Sequence, residues 1–145
     1  MQFKATFLLI GILAAGSALA HGGVKNPEVM ARMNLMGEIK ESIGVLGKMA
    51  KGATRFDVDR AEAAKGALIN AATRIPVAFE NPAKDPKSEA LPTIWEDWED
   101  FSAQAAGMAE SVASVDVSSL AGVQTGMKVI GQSCSGCHKD YRIDK

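Results

Sequence analysis

Two cysteines and a histidine lie together near the C-terminus of the 145-residue chain, and they constrain its fold more than any other feature. The segment reads Cys134-Ser135-Gly136-Cys137-His138. On a helix, residues three and four positions apart lie on the same side, so both thiols and the imidazole can face one direction. Two thiols at this spacing can add to the two vinyl groups of one porphyrin, and a neutral imidazole is a good iron ligand. The spacing therefore predicts a covalent haem-attachment site.

Three other kinds of site also use two closely spaced cysteines. A redox dithiol of the thioredoxin type is expected beside a strand–helix–strand pattern, which the surrounding sequence lacks. A zinc site needs about four nitrogen or sulfur ligands, whereas the chain has 2 cysteines and 2 histidines, and His21 lies far from the motif. A disulfide across three residues closes almost no loop and would stabilise little. These arguments favour haem, with a redox dithiol or a disulfide as the alternatives.

The first twenty residues have the features of an export signal. Lys4 precedes an apolar run over residues 5–15, and small residues precede a cleavage point after Ala20. The apolar run is shorter than the roughly 20 residues that a spanning helix needs, which disfavours a membrane anchor. We therefore predict a signal peptide at residues 1–20 and a soluble exported domain, with no membrane span, at residues 21–145.

The predicted exported domain is weakly acidic. The chain has 16 basic residues, of which Lys4 lies in the signal, and 17 acidic residues. Nothing in this charge balance or in the motifs indicates binding to nucleic acid. The sequence also lacks paired carboxylates, a nucleophile triad and a phosphate-binding loop, which would support a hydrolytic or transfer enzyme. We therefore expect a protein that is not an enzyme.

Apolar residues recur at helical spacing through the domain, and no convincing strand is present. The pattern predicts four helices, over about residues 26–51, 57–78, 92–114 and 118–141. Asn26 is a candidate N-cap of the first helix, and Gly52 is expected to stop it. Asp59 and Glu62 resemble a capping box near the start of the second helix. Pro76 is expected to kink or end that helix.

Each predicted helix has one mainly apolar face, and Arg32 is the charged exception on the first helix. The four faces are, in chain order, Val29, Arg32, Met36, Ile39, Ile43, Leu46, Ala50 and Ala53; Ala61, Leu68, Ala72, Ile75 and Phe79; Ile94, Trp98, Phe101, Ala105, Met108 and Val112; and Val123, Met127, Ile130, Cys134, Cys137 and Tyr141. Faces of this width pack together in an antiparallel four-helix bundle. An acidic run at the start of the third helix is interpreted as a solvated face, with a docking patch as the alternative: Glu96, Asp97, Glu99 and Asp100.

These features resemble the class II c-type cytochromes, which are the cytochrome c′ family with its low-spin relatives. The matching segments are a Cys-x-x-Cys-His motif inside the last helix, residues 32–36, residues 46–52, and residues 91–95. The likeness covers nearly all of the exported domain. It implies an all-α, up-down-up-down four-helix bundle in the periplasm, with one covalently attached haem c and its iron.

The resemblance also assigns roles to individual residues. The two thioether cysteines and the proximal iron ligand would be Cys134, Cys137 and His138. Arg142 matches a basic residue on the proximal side of the haem. Arg32 matches a first-helix arginine that approaches a haem propionate, which would give this charge on the helix seam a partner. Met36, one turn beyond Arg32, matches the residue over the distal side of the iron.

Met36 determines which function the resemblance implies. In the low-spin relatives a first-helix methionine is the sixth ligand; such a thioether opposite histidine raises the reduction potential and suits electron transfer. In cytochrome c′ proper an apolar residue there only blocks the distal side, and five-coordinate iron binds NO or CO. Methionine also fills gaps in helical cores. We predict a periplasmic monohaem electron carrier, with a high-spin gas-binding protein as the alternative and a haem-free thiol redox protein as a third class.

The remaining candidate ligands are weaker. Met30 and Met33 lie off the helix seam, and Met49 is expected in the core. His21 would be the new N-terminus, and a chain end usually stays in solvent. The resemblance implies redox proteins as partners, and a homodimer built on the first two helices is frequent in the family.

Overall fold

A computed structural model describes residues 23–144 of the chain. These residues form six helical segments: α1 (Pro27–Ala50), α2 (Val58–Thr73), α3 (Ile75–Phe79), α4 (Thr93–Glu96), α5 (Trp98–Ala113) and α6 (Leu120–Tyr141). Within the described range there is no strand, and one isolated β-bridge joins Ala90 to Arg142. The predicted signal peptide lies outside the described residues, and so does His21. None of the helices in the described part of the chain has the length and hydropathy of a membrane span.

The four long helices form a closed ring of contacts. α1 packs on α2, α2 on α5, α5 on α6, and α6 returns to pack on α1. The short helices α3 and α4 cover one end of this ring, where α3 contacts both α1 and α5. The prediction of an all-α, four-helix bundle is therefore confirmed.

The ends of α1 agree with the sequence prediction. The side-chain oxygen of Asn26 accepts hydrogen bonds from the N–H groups of Glu28 and Val29, at 2.9 and 3.2 Å. It therefore satisfies two donors that have no partner within the helix. After the last turn, Gly52 has a φ of +70°. This left-handed conformation ends the helix and is one that glycine adopts without steric cost.

α2 begins at a cap that differs from the predicted one. Asp57 is the N-cap, and its carboxylate accepts the N–H of Arg60 at 3.0 Å. The capping box predicted at Asp59 and Glu62 is therefore wrong. Asp59 already lies in the first turn of the helix, where its backbone is helical and its side chain cannot act as the cap.

Two of the predicted helices are interrupted. The second is divided into α2 and α3 at Arg74, two residues before Pro76. Proline has no N–H for the helical ladder and its ring crowds the preceding turn, so the expected kink at Pro76 is confirmed. The third is divided into α4 and α5 at Asp97, whose φ of −127° and ψ of 53° are not helical. The sequence did not predict that second break.

Val29 is buried as predicted, but beyond it the buried face of α1 is displaced by one residue along one of its two predicted rows. Leu35, Ser42 and Met49 are buried, whereas Met36 and Ile43 are only half-buried. The prediction that Met49 belongs to the core is confirmed. The predicted faces of the second and third helices are buried, apart from a half-buried Trp98: Ala61, Leu68, Ala72, Ile75, Phe79, Ile94, Phe101, Ala105, Met108 and Val112. The displacement leaves Met36 at the border of the core.

The long connection before α4 is fastened to the start of α1. The Asp85 carboxylate accepts the N–H groups of Lys25 and Asn26, at 2.8 and 3.0 Å, and that of Lys87 at 2.9 Å. These donors, led by Lys87, lower the pKa of Asp85. The loop is therefore held by a carboxylate that stays ionised through the neutral pH range.

Gly126 of α6 packs closely against Val115, which lies in the loop between α5 and α6. A Cβ atom on this residue would lie 2.1 Å from Cγ1 of Val115, which is far inside van der Waals contact. By contrast, a Cβ on Gly66 in α2 would meet no atom within 4 Å. The two glycines therefore provide a matched pair that differs in packing alone.

We expect Gly126→Ala to destabilise the protein by about 1–3 kcal/mol, because the added methyl group overpacks the contact with Val115. The control Gly66→Ala should stabilise it by roughly 0.5–1 kcal/mol, since alanine is favoured in an open helix interior. Urea denaturation followed by circular dichroism measures both. Similar free energies of unfolding for the two variants would contradict the packing described at Gly126.

Candidate haem site

The motif residues lie in the last two turns of α6. Cys134 and Cys137 are half-buried free thiols that pack against the core, and His138 is exposed. Burial raises the pKa of the Cys134 thiol, and burial followed by the nearby Cys134 and acidic groups raises the pKa of Cys137 to about 11. Both thiols are therefore protonated at neutral pH and are available as a pair on one side of the helix.

The surroundings of His138 favour a neutral imidazole. The residue as a whole is exposed, but the protein shields its ring in part from water, and this desolvation lowers the pKa. The Arg142 guanidinium lowers the pKa further, and the Glu89 carboxylate opposes both effects. A neutral ring can bind iron through a nitrogen lone pair. Across residues 23–144, no group of three or more His, Cys, Asp and Glu side chains could hold a metal ion.

The C-terminal half of α6 has a core-facing side that the polypeptide covers incompletely. Ile130 and Tyr141 are 1% and 5% exposed, but none of the residues 131–140 between them is buried. On α1, by contrast, buried residues recur every three or four positions. A large apolar group beside Cys134 and Cys137 would complete this face. Both the uncovered side and the set of donors therefore fit a covalently attached haem.

Two contacts define how α1 and α6 are aligned. A Cβ on Gly47 would lie 3.6 Å from Cε of Met127. One turn away, Nε2 of Gln124 donates a hydrogen bond to the carbonyl oxygen of Ala50 at 3.0 Å. The residue numbers rise along one helix as they fall along the other, so the two helices run antiparallel with a fixed register.

This register brings Met36 and His138 to the same height along the bundle. Met36 precedes Gly47 by eleven residues, and His138 follows Met127 by eleven residues. All α-helices rise by the same distance per residue, so equal steps from one contact reach equal heights. Met36 also packs against the edge of the core. The predicted distal residue and the predicted proximal residue therefore lie level with each other on adjacent helices.

Arg32 is buried, at 3% exposure. Its Nε donates to the carbonyl of Ala78 at 3.0 Å and its Nη1 to that of Ala83 at 3.1 Å, while Nη2 donates to the carbonyl of Asn81. No carboxylate among the described residues forms an ion pair with it. Burial lowers the pKa of its guanidinium. Backbone carbonyls thus take the place of a carboxylate partner.

Two aromatic rings enclose the same guanidinium. The centroids of Phe79 and Trp95 each lie 5.1 Å from Cζ of Arg32, within the range of a cation–π interaction. Trp95 in turn donates from Nε1 to the carbonyl of Phe79 at 2.7 Å. Arg32 therefore fastens α1 to α3 and α4 with partners from the protein itself, and its contact with a haem propionate stays a prediction.

The C-terminal end of α6 is paired with the segment that precedes α4. The N–H of Leu91 donates to the carbonyl of Tyr141 at 3.0 Å, and the N–H of Ile143 donates to that of Glu89 at 2.9 Å. We refer to these paired segments, residues 89–91 and 141–143, as the C-terminal clasp. It fixes the chain just beyond His138.

The clasp also carries an ion pair. Nε and Nη2 of Arg142 lie 2.8 and 2.7 Å from Oε2 of Glu89. The N–H of Arg142 donates to the carbonyl of His138 at 3.2 Å, so the basic residue follows the histidine by one helical turn, as the sequence predicts. Sequence reasoning missed Glu89, because no local pattern relates a residue in a loop to one 53 positions later.

Asp100 is a second residue whose contact the sequence did not reveal. The hydroxyl of Tyr141 donates to its Oδ2 at 2.6 Å, which raises the pKa of Tyr141. The Tyr141 ring also meets Phe101 edge to face, with centroids 5.2 Å apart. One member of the acidic run at the start of α5 is therefore used to hold the end of α6.

Comparison with known proteins identifies the family of this chain. A family profile described as Cytochrome C′ matches residues 28–142. The chain belongs to the cytochrome c′ family. A cytochrome c-556 of Agrobacterium fabrum is 36% identical over 95% of this chain and 92% of that protein. A cytochrome c′ of Cereibacter sphaeroides is 28% identical over 95% of this chain and 97% of that protein.

Solved structures of cytochromes share the fold. A cytochrome c556 from R. palustris has a TM-score of 0.75 at 24% identity, covering 83% of this chain and 99% of that one. A cytochrome c′ from Rhodobacter Spheriodes has a TM-score of 0.74 at 24% identity, covering 81% and 96%. As a member of this cytochrome family, the protein is a monohaem c-type cytochrome with one covalent haem c and its iron.

We expect Arg32→Met to destabilise the holoprotein by about 1–3 kcal/mol, because buried carbonyl groups lose their donors. The control Arg74→Met removes an exposed arginine that pairs with Glu38, and it should change the free energy of unfolding by only about 0–1 kcal/mol. Urea denaturation measures both variants. An Arg32 variant as stable as the control would show that the carbonyl contacts contribute little.

Proposed function

We propose that this cytochrome is a periplasmic electron carrier whose haem is attached through Cys134 and Cys137 and whose iron is bound by His138 and Met36. The observation that supports this proposal is the α1–α6 register, which gives Met36 and His138 a common height. A thioether opposite an imidazole raises the reduction potential of haem iron. An iron with six ligands in both oxidation states rearranges little when it gains or loses an electron.

The haem, when bound, supplies a reversible one-electron change at its iron. Cys134 and Cys137 would hold it to α6, beside the side of this helix that the polypeptide covers incompletely. Arg32 closes the end of the bundle near Met36, with its charge satisfied by carbonyls and rings. Within this mechanism no side chain transfers a group to a substrate, so we infer that the protein is not an enzyme.

The N-terminal sequence indicates where in the cell the protein works. Residues 1–20 have the composition of an export signal, and we infer that the protein works in the periplasm after cleavage. The electron would then come from one redox protein and pass to another. A homodimer through α1 and α2 remains a prediction.

Gas binding is the alternative function. One fold neighbour, with a TM-score of 0.71 and 21% identity, was solved as a nitric oxide complex of a cytochrome c prime mutant from Alcaligenes xylosoxidans. In this chain Met36 is half-buried at the core border, where it could cover the iron without binding it. The iron would then have five ligands and an open distal side. The coordination state decides between the two functions.

The attachment residues can be tested separately from the iron ligand. We expect Cys134→Ser/Cys137→Ser to lose covalent haem, with a mass lower by one haem under denaturing conditions. His138→Ala should keep the covalent haem, because both thiols remain, but should lose the native absorption spectrum. Mass spectrometry and optical spectra of the purified variants measure the two properties. A native spectrum in His138→Ala would refute the ligand assignment.

The distal ligand is tested by the volume-conserving variant Met36→Leu. We expect the unmodified protein to be low-spin, with a sulfur-to-iron band at the red end of the ferric spectrum and little response to CO. Met36→Leu should lose that band, become high-spin and bind CO, because leucine has no donor atom. The control Met33→Leu changes the same side chain on the same helix and should behave like the unmodified protein. High-spin, CO-binding behaviour before any substitution would favour gas binding instead.

A further inference from the structure

We propose that Glu89 is a positioning residue for His138, and that the Glu89–Arg142 pair regulates the reduction potential of the iron by placing two opposed charges beside its proximal ligand. This inference depends on the proposed role of His138. It adds a residue from a distant loop to the site, and it gives the C-terminal clasp a function in addition to its structural one.

The clasp holds Glu89 through both its backbone and its side chain. Its carbonyl accepts the N–H of Ile143 at 2.9 Å, and its Oε2 is 2.8 Å from Nε and 2.7 Å from Nη2 of Arg142. Two N–H groups from one guanidinium on one oxygen leave the carboxylate little freedom to rotate away. Glu89 is therefore held in a defined place relative to the end of α6.

Arg142 connects this carboxylate to His138. Its N–H donates to the carbonyl of His138 at 3.2 Å, which makes it the next residue on the same side of the helix. Because Arg142 is bound to Glu89 through its guanidinium, both charges of the pair lie at the end of α6 one helical turn beyond His138. Partners of a metal-binding histidine commonly orient its ring and tune the metal. The pair is well placed to do both.

The pair is too exposed to be explained by stability alone. The side chains of Arg142 and Glu89 are 42% and 32% exposed, and exposed ion pairs contribute little to folding because solvent screens them. Their effect on a neighbouring charge has a definite sign, however. A positive charge near the iron favours the ferrous state, which carries one positive charge fewer, and a negative charge favours the ferric state. The two members of the pair therefore shift the potential in opposite directions.

The test is a spectroelectrochemical titration of the holoprotein and three variants. We expect Arg142→Gln to lower the reduction potential and Glu89→Gln to raise it. The double variant should lie between the two single variants, because the opposed effects are both removed. Potentials that shift in the same direction in both single variants, or that do not shift at all, would overturn the proposal.

Matched controls come from the other end of the bundle. Arg55→Gln and Glu62→Gln remove one exposed charge of each sign near the junction of α1 and α2. Ala50 contacts Gln124 at that end, and His138 lies fourteen residues further along α6, roughly 21 Å of helix rise. This distance exceeds the Debye length of about 8 Å at physiological salt. Neither control should change the potential measurably.

A purely structural role of the clasp would give a different result. Loss of the ion pair would then lower the midpoint of urea denaturation in both single variants and leave the potentials equal or shifted together. The inference is also distinguishable from the proposed function. If His138→Ala keeps the native spectrum, both fail; if it loses that spectrum while the charge variants keep their potential, only the role of Glu89 fails.

Discussion

The antiparallel packing of α1 on α6 is the constraint on which the rest of the site depends. Gly47 and Gln124 each contribute a contact that fixes the register, and neither is near the motif. Their effect reaches the other end of the helices because a helix is a rigid rod with a constant rise. A slip of one residue would turn Met36 away by about 100°, which is the helical rotation per residue. Gly47 lies eleven residues from Met36, which is roughly 16 Å of helix rise. Packing at that distance therefore determines the position of Met36.

Burial of Arg32 explains how the other end of the bundle is closed. A guanidinium in a core needs acceptors for its N–H groups, and a polypeptide can supply carbonyls only where a helix ends. The last turn of α3 and the loop after it provide such carbonyls at Ala78, Asn81 and Ala83. Trp95 then covers the charge from α4. The two short helices, α3 and α4, therefore contribute directly to the burial of this charge.

The features that depend on neighbouring residues in the chain were predictable from the sequence. The cap at Asn26, the stop at Gly52 and the kink at Pro76 depend on residues within one turn, and each was identified. The non-helical backbone of Asp97 has no signal in the sequence. The pairing of Glu89 with the end of α6 depends on a contact between segments 53 residues apart, which no local pattern encodes. The one-residue displacement of the α1 face has the same origin, because the packing of α1 against two other helices decides which row is buried.

Different interactions position the two sides of the proposed iron site: apolar packing on the distal side and an exposed ion pair on the proximal side. On the proposed distal side, Met36 lies on a continuous helix at the edge of the apolar core, so its approach to an iron would be controlled by packing volume. On the proximal side His138 is exposed and is followed by the clasp, whose ion pair is reachable by solvent. Changes in core packing would therefore alter the number of iron ligands, whereas changes in surface charge at Glu89 or Arg142 would alter the potential at constant coordination. If the proposed ligands are correct, the potential can therefore be adjusted through exposed residues without a change at the distal position.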